Sequence, residues 1–330
     1  MDIRSSILVI VCCAFVVSCA EETGTEADVS ARPPTLEQSA EGWPDAIIAE
    51  RNLFAPEGVE FDQTSARFLV GSLSEGSVFA LNRDGSLTTV VNDPELVSSV
   101  GIEVDEARGR LLVANSDASS FGDATPGQAK LGVYDLESGA RLAMVDLAAT
   151  LENRSAQPAV FANDVTVDGR GRIYVSDSRV GVIYRVDEFY QASVLHRFGT
   201  SETSETSEAF APNGLVYHPS GYLLVVGGES LYKLPIHDPG SASLVRLPEP
   251  ISGADGVVWT REGQLAIVAN KVNRVVLFSS ADEWSSAELA GIAPYESMAT
   301  TVAVVGEELY VVHPHFGDEG APSVERVEVR

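Results

Sequence analysis

The chain has 330 residues, 45% of them hydrophobic and 21% charged, the balance of a globular protein with a large core. Acidic residues outnumber basic ones 48 to 22, for a formal net charge of −26. This excludes the phosphate backbone of nucleic acid as a partner and favours cations instead.

The first residues carry Arg4 and then the apolar run Ile7 to Val17. That run is short for a membrane-spanning helix and fits an export signal. It ends in Val16-Val17-Ser18-Cys19, which resembles the lipobox of bacterial lipoproteins. The resemblance implies cleavage before Cys19 and lipidation of Cys19. With Ala20 next, it also implies sorting to the outer membrane of a Gram-negative cell envelope, with the lipid anchor as the only membrane contact. Ordinary secretion is the alternative. Cys12 and Cys13 fall inside the removed segment, so the mature chain is expected to lack a disulfide and to depend on its core. Residues 20–42, rich in Glu, Thr, Ser, Ala and Pro, read as a flexible acidic tether after the 1–19 signal.

From residue 43 onward one pattern recurs: a small polar residue and Gly, a short apolar strand, a turn, and a second apolar strand. The copies are Glu57-Gly58-Val-Glu-Phe before Arg67-Phe-Leu-Val, and Val100-Gly101-Ile-Glu-Val before Arg110-Leu-Leu-Val. Next come Asn163-Asp164-Val-Thr-Val before Arg172-Ile-Tyr-Val, and Asn213-Gly214-Leu-Val-Tyr before Tyr222-Leu-Leu-Val-Val. The last are Asp255-Gly256-Val-Val-Trp before Gln264-Leu-Ala-Ile-Val, and Thr300-Thr301-Val-Ala-Val before Glu308-Leu-Tyr-Val-Val. Strand-only repeats of about 40–50 residues mark a propeller with one blade per repeat. The expected fold of residues 43–330 is therefore an all-β, six-bladed β-propeller of four-stranded antiparallel blades. Either Ala46–Ala49 or the terminal Ser323–Val329 is expected to close the last blade. The second repeat carries an insertion from Asn115 to Lys130, and Ser201 to Glu208 is a low-complexity run read as a solvated loop.

In a meandering blade the first strand begins on the rim where the second ends. Glu57, Asn163, Asn213 and Asp255 should thus gather at one mouth of the channel, overhung by the insertion. Asn115, Asp177, Glu229, Lys271 and the pair His313 and His315 end second strands on that rim. Oxygen donors converging from four repeats suit a hard divalent cation, calcium or another, more than zinc, since no cysteine or tight His pair accompanies them. Each Asn-Gly or Asp-Gly is also, taken singly, a turn dipeptide. Aromatic side chains are sparse at the expected mouth, so no stacking ligand is expected there.

Glu57-Gly58, Asn163-Asp164, Asn213-Gly214-Leu215 and Asp255-Gly256-Val257 resemble the metal-site motifs of the gluconolactonase, regucalcin and luciferin-regenerating enzyme family. The resemblance spans about residues 54–316. It implies a calcium-dependent propeller acting on lactones or related esters. The positions matching Glu57, Asn213 and Asp255 would bind the metal, and Asn163 would bind substrate and complete the metal shell. The family's sugar-lactone members have an arginine where this chain has Phe161-Ala162, which points to a less polar substrate. The expected activity is metal-assisted hydrolysis, with Asp255 or His313 as base and Asn163, Asn115, Asp177 and Lys271 as substrate contacts. The alternative is a non-catalytic envelope-attached binding or interaction propeller braced by a structural metal.

Overall fold

A computed structural model describes residues 42–121, 126–152, 159–199, 210–317 and 320–330. The export signal, Cys19, the tether up to residue 41 and the 201–208 run lie outside the described residues. Strand β1 (Ala46–Ile48) comes first. The first repeat forms β2 (Val59–Asp62), β3 (Arg67–Gly71), β4 (Ser77–Leu81) and β5 (Leu87–Asn92). The second forms β6 (Ser98–Asp105), β7 (Arg110–Ser116), β8 (Gly127–Asp135) and β9 (Arg141–Asp146). The third forms β10 (Val160–Val167), β11 (Ile173–Asp177), β12 (Val182–Val186) and β13 (Ala192–Arg197). Next come β14 (Leu215–His218), β15 (Tyr222–Gly227), β16 (Ser230–Pro235) and β17 (Ser243–Leu244). The fifth repeat forms β18 (Ala254–Trp259), β19 (Leu265–Ala269), β20 (Arg274–Ser279) and β21 (Glu288–Pro294). The last forms β22 (Val302–Val305), β23 (Glu308–His313) and β24 (Ser323–Val327).

The fold is an all-β propeller, but the expectation of six separate antiparallel blades is corrected. Four blades are four-stranded sheets: β2–β5, β14–β17, β18–β21, and β22–β24 completed by β1. The second and third repeats do not make separate blades. They share one eight-stranded sheet, joined where β10 runs parallel to β8, with Val160 opposite Gly127 and Phe161 opposite Gln128. The insertion explains the fusion, because it returns into β8 early and lengthens that strand to nine residues. Gly127 permits the close approach: a Cβ there would lie 2.4 Å from the Val160 carbonyl oxygen. The question of closure resolves to both termini. Strand β1 pairs with β24, Ile47 opposite Val324, as the outermost strand of the last blade.

The second strand of each repeat is buried along nearly its whole length, β7 and β19 at every residue, because both faces of its sheet are covered by neighbouring sheets. That accounts for runs such as Leu265-Ala-Ile-Val-Ala269, where a half-exposed strand would alternate. The core lies between sheets: Tyr174 and Ile183 of one pack against Leu215, Leu223 and Val225 of the next. Strands β2, β6, β10, β14, β18 and β22 contact one another in succession and line a central channel with a cavity of about 230 Å³.

Candidate functional site

The inner strands are irregular at the positions singled out in the sequence. The β6–β7 ladder slips between Ser99 and Ile102, the β10–β11 ladder between Ala162 and Val165, and the β18–β19 ladder between Ala254 and Val257. Val100-Gly101, Asn163-Asp164 and Asp255-Gly256 therefore occupy β-bulges, which turn a side chain away from the regular pleat. The glycines here are not turn residues, since neither Gly58 nor Gly214 has a positive φ. They let adjacent inner strands meet: a Cβ on Gly58 would sit 2.4 Å from the Val100 carbonyl oxygen, and one on Gly214 would sit 2.3 Å from that of Asp255. Side-chain hydroxyls tie the same backbone together. Thr300 Oγ1 donates to the Glu57 carbonyl at 2.7 Å, and Ser176 Oγ donates to that of Asn213 at 2.6 Å.

The result is a cavity of about 320 Å³ at one end of the channel, lined by all six repeat positions: Glu57, Val100, Asn163, Asn213, Asp255 and Thr300. Asn270 joins them, donating from Nδ2 to Asp255 Oδ2 at 2.7 Å, and Asn213 donates to the same carboxylate. Asn163 Nδ2 is held by Ser178 Oγ at 3.0 Å. Glu57 is 9% and Asp255 6% exposed, so both carboxylates lie largely out of water. Burial, then the charges of Asp255 and Asp164, push the Glu57 carboxyl well above its usual range. Burial pushes Asp255 up to about 7 against the hydrogen bonds from Asn270 and Asn213. Among the described residues no Lys, Arg or His lines this cavity to balance the pair.

Other expected site residues lie elsewhere. Asn115 is fully buried, with Oδ1 accepting from Val97 N–H at 3.0 Å and Gln128 Nε2 at 2.7 Å, and Nδ2 donating to the Glu95 carbonyl. Asp177 accepts from the N–H groups of Phe161, Arg179 and Val180 and from the Tyr184 hydroxyl. Both are tied into the fold and are not among the residues that line the cavity. Lys271 is exposed and outside the lining, beside Asn270 in a single 3-10 turn. His313 is also outside it, buried against Tyr295 with Nδ1 3.1 Å from the Met298 carbonyl oxygen and Nε2 3.7 Å from the Glu325 carboxylate. Of the insertion expected to overhang the mouth, none of the described residues lines the cavity. Two aromatic residues, Phe161 and Phe316, line it.

Two residues gained no role from the sequence. Asn270 is the polar residue just past the end of β19, where its N–H donates to the Gly253 carbonyl at 2.9 Å and its side chain reaches Asp255. Asp164 stands where most other copies have Gly, and that departure from the repeat is its signal. Its Oδ2 accepts from Leu215 N–H on the next inner strand at 3.0 Å, and burial pushes it up to about 7. It belongs to the channel wall together with Glu60, which burial likewise pushes to about 7, and Glu103, pushed well above the usual range.

Among the described residues no three His, Cys, Asp or Glu side chains gather as a metal-ligand group. The donor set at the mouth is two carboxylates and amides. Turning the Asn213 amide by 180° would replace its NH2 with an oxygen facing Asp255. Oxygen-only donors around an unbalanced buried carboxylate pair fit a hard cation of the calcium type and suit zinc poorly.

No protein-family model matches the chain, and curated protein sequences give no match. Solved structures do. The allergen Mala s 1 of Malassezia sympodialis superposes with a TM-score of 0.72 at 21% identity, covering 87% of this chain and 97% of that one. A gluconolactonase from Xanthomonas campestris gives 0.58 at 14% identity, covering 88% and 99%. Virginiamycin B lyase from Staphylococcus aureus gives 0.55 at 12%, covering 86% and 87%. At such identities the likeness establishes the propeller fold, which a hydrolase, a lyase and an allergen share.

Proposed function

We propose that the protein is a metal-dependent hydrolase of lactones or related esters, with calcium held at the channel mouth by Glu57, Asn163, Asn213 and Asp255. The observation that carries the reading is the meeting of two buried, mutually repelling carboxylates and three amides in one cavity that, among the described residues, no basic side chain lines. When bound, the cation would polarise the substrate carbonyl and stabilise negative charge on its oxygen. The chain's own residues do the rest. Thr300, through the Glu57 carbonyl, fixes the backbone of the first donor. Ser178 orients the Asn163 amide and leaves its oxygen for the cavity. Asn270 fixes one oxygen of Asp255 and leaves the carboxylate able to take a proton from an attacking water. Asp255 rather than His313 is the base in this scheme, because His313 does not reach the cavity.

Hydrolysis of a panel of lactones and aryl esters, followed with calcium and with chelator, tests the reading. Calcium-dependent turnover that Asp255→Asn abolishes supports it. A protein that binds calcium but hydrolyses no member of the panel is instead the non-catalytic binding propeller.

A further inference from the structure

The mouth cavity mixes two kinds of wall. Its carboxylates, amides and Thr300 are one set. The rest of the described lining is Leu73, Val100, Phe161, Met298 and Phe316, five residues without a side-chain hydrogen-bonding group apart from the weak thioether. Met298 and Phe316 are 39% and 41% exposed, although Phe is a residue that ordinarily hides from water. Exposed large apolar side chains beside a concave polar centre mark a surface that a ligand covers.

The geometry points to a substrate that is an uncharged lactone or ester carrying an alkyl or aryl group, not a polyhydroxylated sugar lactone. This rests on the hydrolase reading for the position of the carbonyl, which meets the carboxylates and amides. The substituent then lies against Phe161, Met298 and Phe316. Several ring hydroxyls placed against the same walls would surrender their water and find no partner, and each buried unpaired hydroxyl costs about 1–3 kcal/mol. No Lys, Arg or His is among the described lining residues, so an anionic substituent would meet no side-chain partner against these walls. The cavity, about 320 Å³, lies near the small end of ligand sites, so the substituent is a short chain or a single ring.

The test has two arms on the full chain with calcium present. The first compares kcat/KM for δ-decanolactone and glucono-δ-lactone, with an expected preference of about tenfold or more for the alkyl lactone. The second measures binding of the corresponding non-hydrolysable lactams by calorimetry, in the native protein, in Phe316→Ser and in Leu289→Ser. Leu289 is an equally exposed residue of β21 outside the cavity. The alkyl lactam should bind, weaken about tenfold in Phe316→Ser and be unaffected by Leu289→Ser. Preference for the sugar lactone overturns the inference while leaving the hydrolase reading intact. No turnover of either lactone, with Phe316-dependent binding of the alkyl lactam, sinks the hydrolase reading and keeps the apolar ligand class. Failure of the alkyl lactam to bind, or binding indifferent to Phe316→Ser, also overturns the inference.

Discussion

Asp177 and Asp255 are both buried aspartates at strand ends, and their surroundings are opposite. Asp177 closes β11 with four donors on its oxygens, three backbone N–H groups and a tyrosine hydroxyl. Asp255, at the start of β18, has two amides on it and the charge of Asp164 acting on it, and it in turn acts on a second buried carboxylate, Glu57. Burial raises the proton affinity of both, but only at Asp177 do backbone donors offset it. A buried acid whose oxygens are all spoken for is a brace, whereas a buried acid facing another acid leaves a charge for something else to neutralise.

The two should respond to substitution in opposite senses. Asp177→Ala strands several buried donors and should lower the unfolding free energy by about 3–4 kcal/mol. Denaturant titration would read this, and an effect below about 1 kcal/mol would dissolve the distinction. Glu57→Gln should leave the metal-free protein as stable as the native chain, or more stable by about 1 kcal/mol, because it removes repulsion and no saturated network. The same change should cut lactone or ester hydrolysis roughly 100-fold, within the range known for losing one electrostatic stabiliser. A Glu57→Gln protein that melts early and turns over normally would put Glu57 among the braces.

Acid titration sharpens the contrast further. Glu57, Glu60, Glu103, Asp164 and Asp255 all hold protons more tightly in the folded chain than in the unfolded one, three of them up to about 7. The folded state therefore binds more protons between the unfolded and folded values, and stability falls as pH rises through that window. Chelated protein should melt several degrees lower at pH 8 than at pH 5, and calcium should remove the part of the difference that Glu57 and Asp255 contribute at the mouth. His196 and His218, held below their usual value mainly by burial, oppose this trend only toward acid. Melting curves at the two pH values, with and without calcium, check it. A metal-free protein more stable at pH 8 would contradict the placement of these carboxyls. The smallest effect should come from Asn270→Ala, which removes one hydrogen bond to Asp255. Turnover should fall about tenfold, with a stability change within about 1 kcal/mol.

Much of this architecture was legible in the chain. The first two strands of the first repeat fall within a residue of the limits the repeated pattern sets. The convergence of Glu57, Asn163, Asn213 and Asp255 followed from their equivalent places in a repeat whose inner strands share one channel. What escaped depends on contacts between distant segments. The fusion of two repeats into one sheet is decided by where an insertion brings Gly127 alongside Val160. Asn115 and Asp177 carry the right groups on the right rim, and only their hydrogen-bond partners reveal that these groups are used up. His313 ends the expected strand but packs behind Met298 rather than into the mouth. Met298 and Phe316 stand outside the repeat pattern, so no periodicity announces the apolar wall they form.

The most direct measurement is a calorimetric titration of calcium into chelator-stripped full-length protein near neutral pH, beside the same titration of Glu57→Gln. Saturable binding of a single ion per chain, lost in the variant, is the predicted result. No binding, or equal binding by the two proteins, would contradict a cation site at the channel mouth.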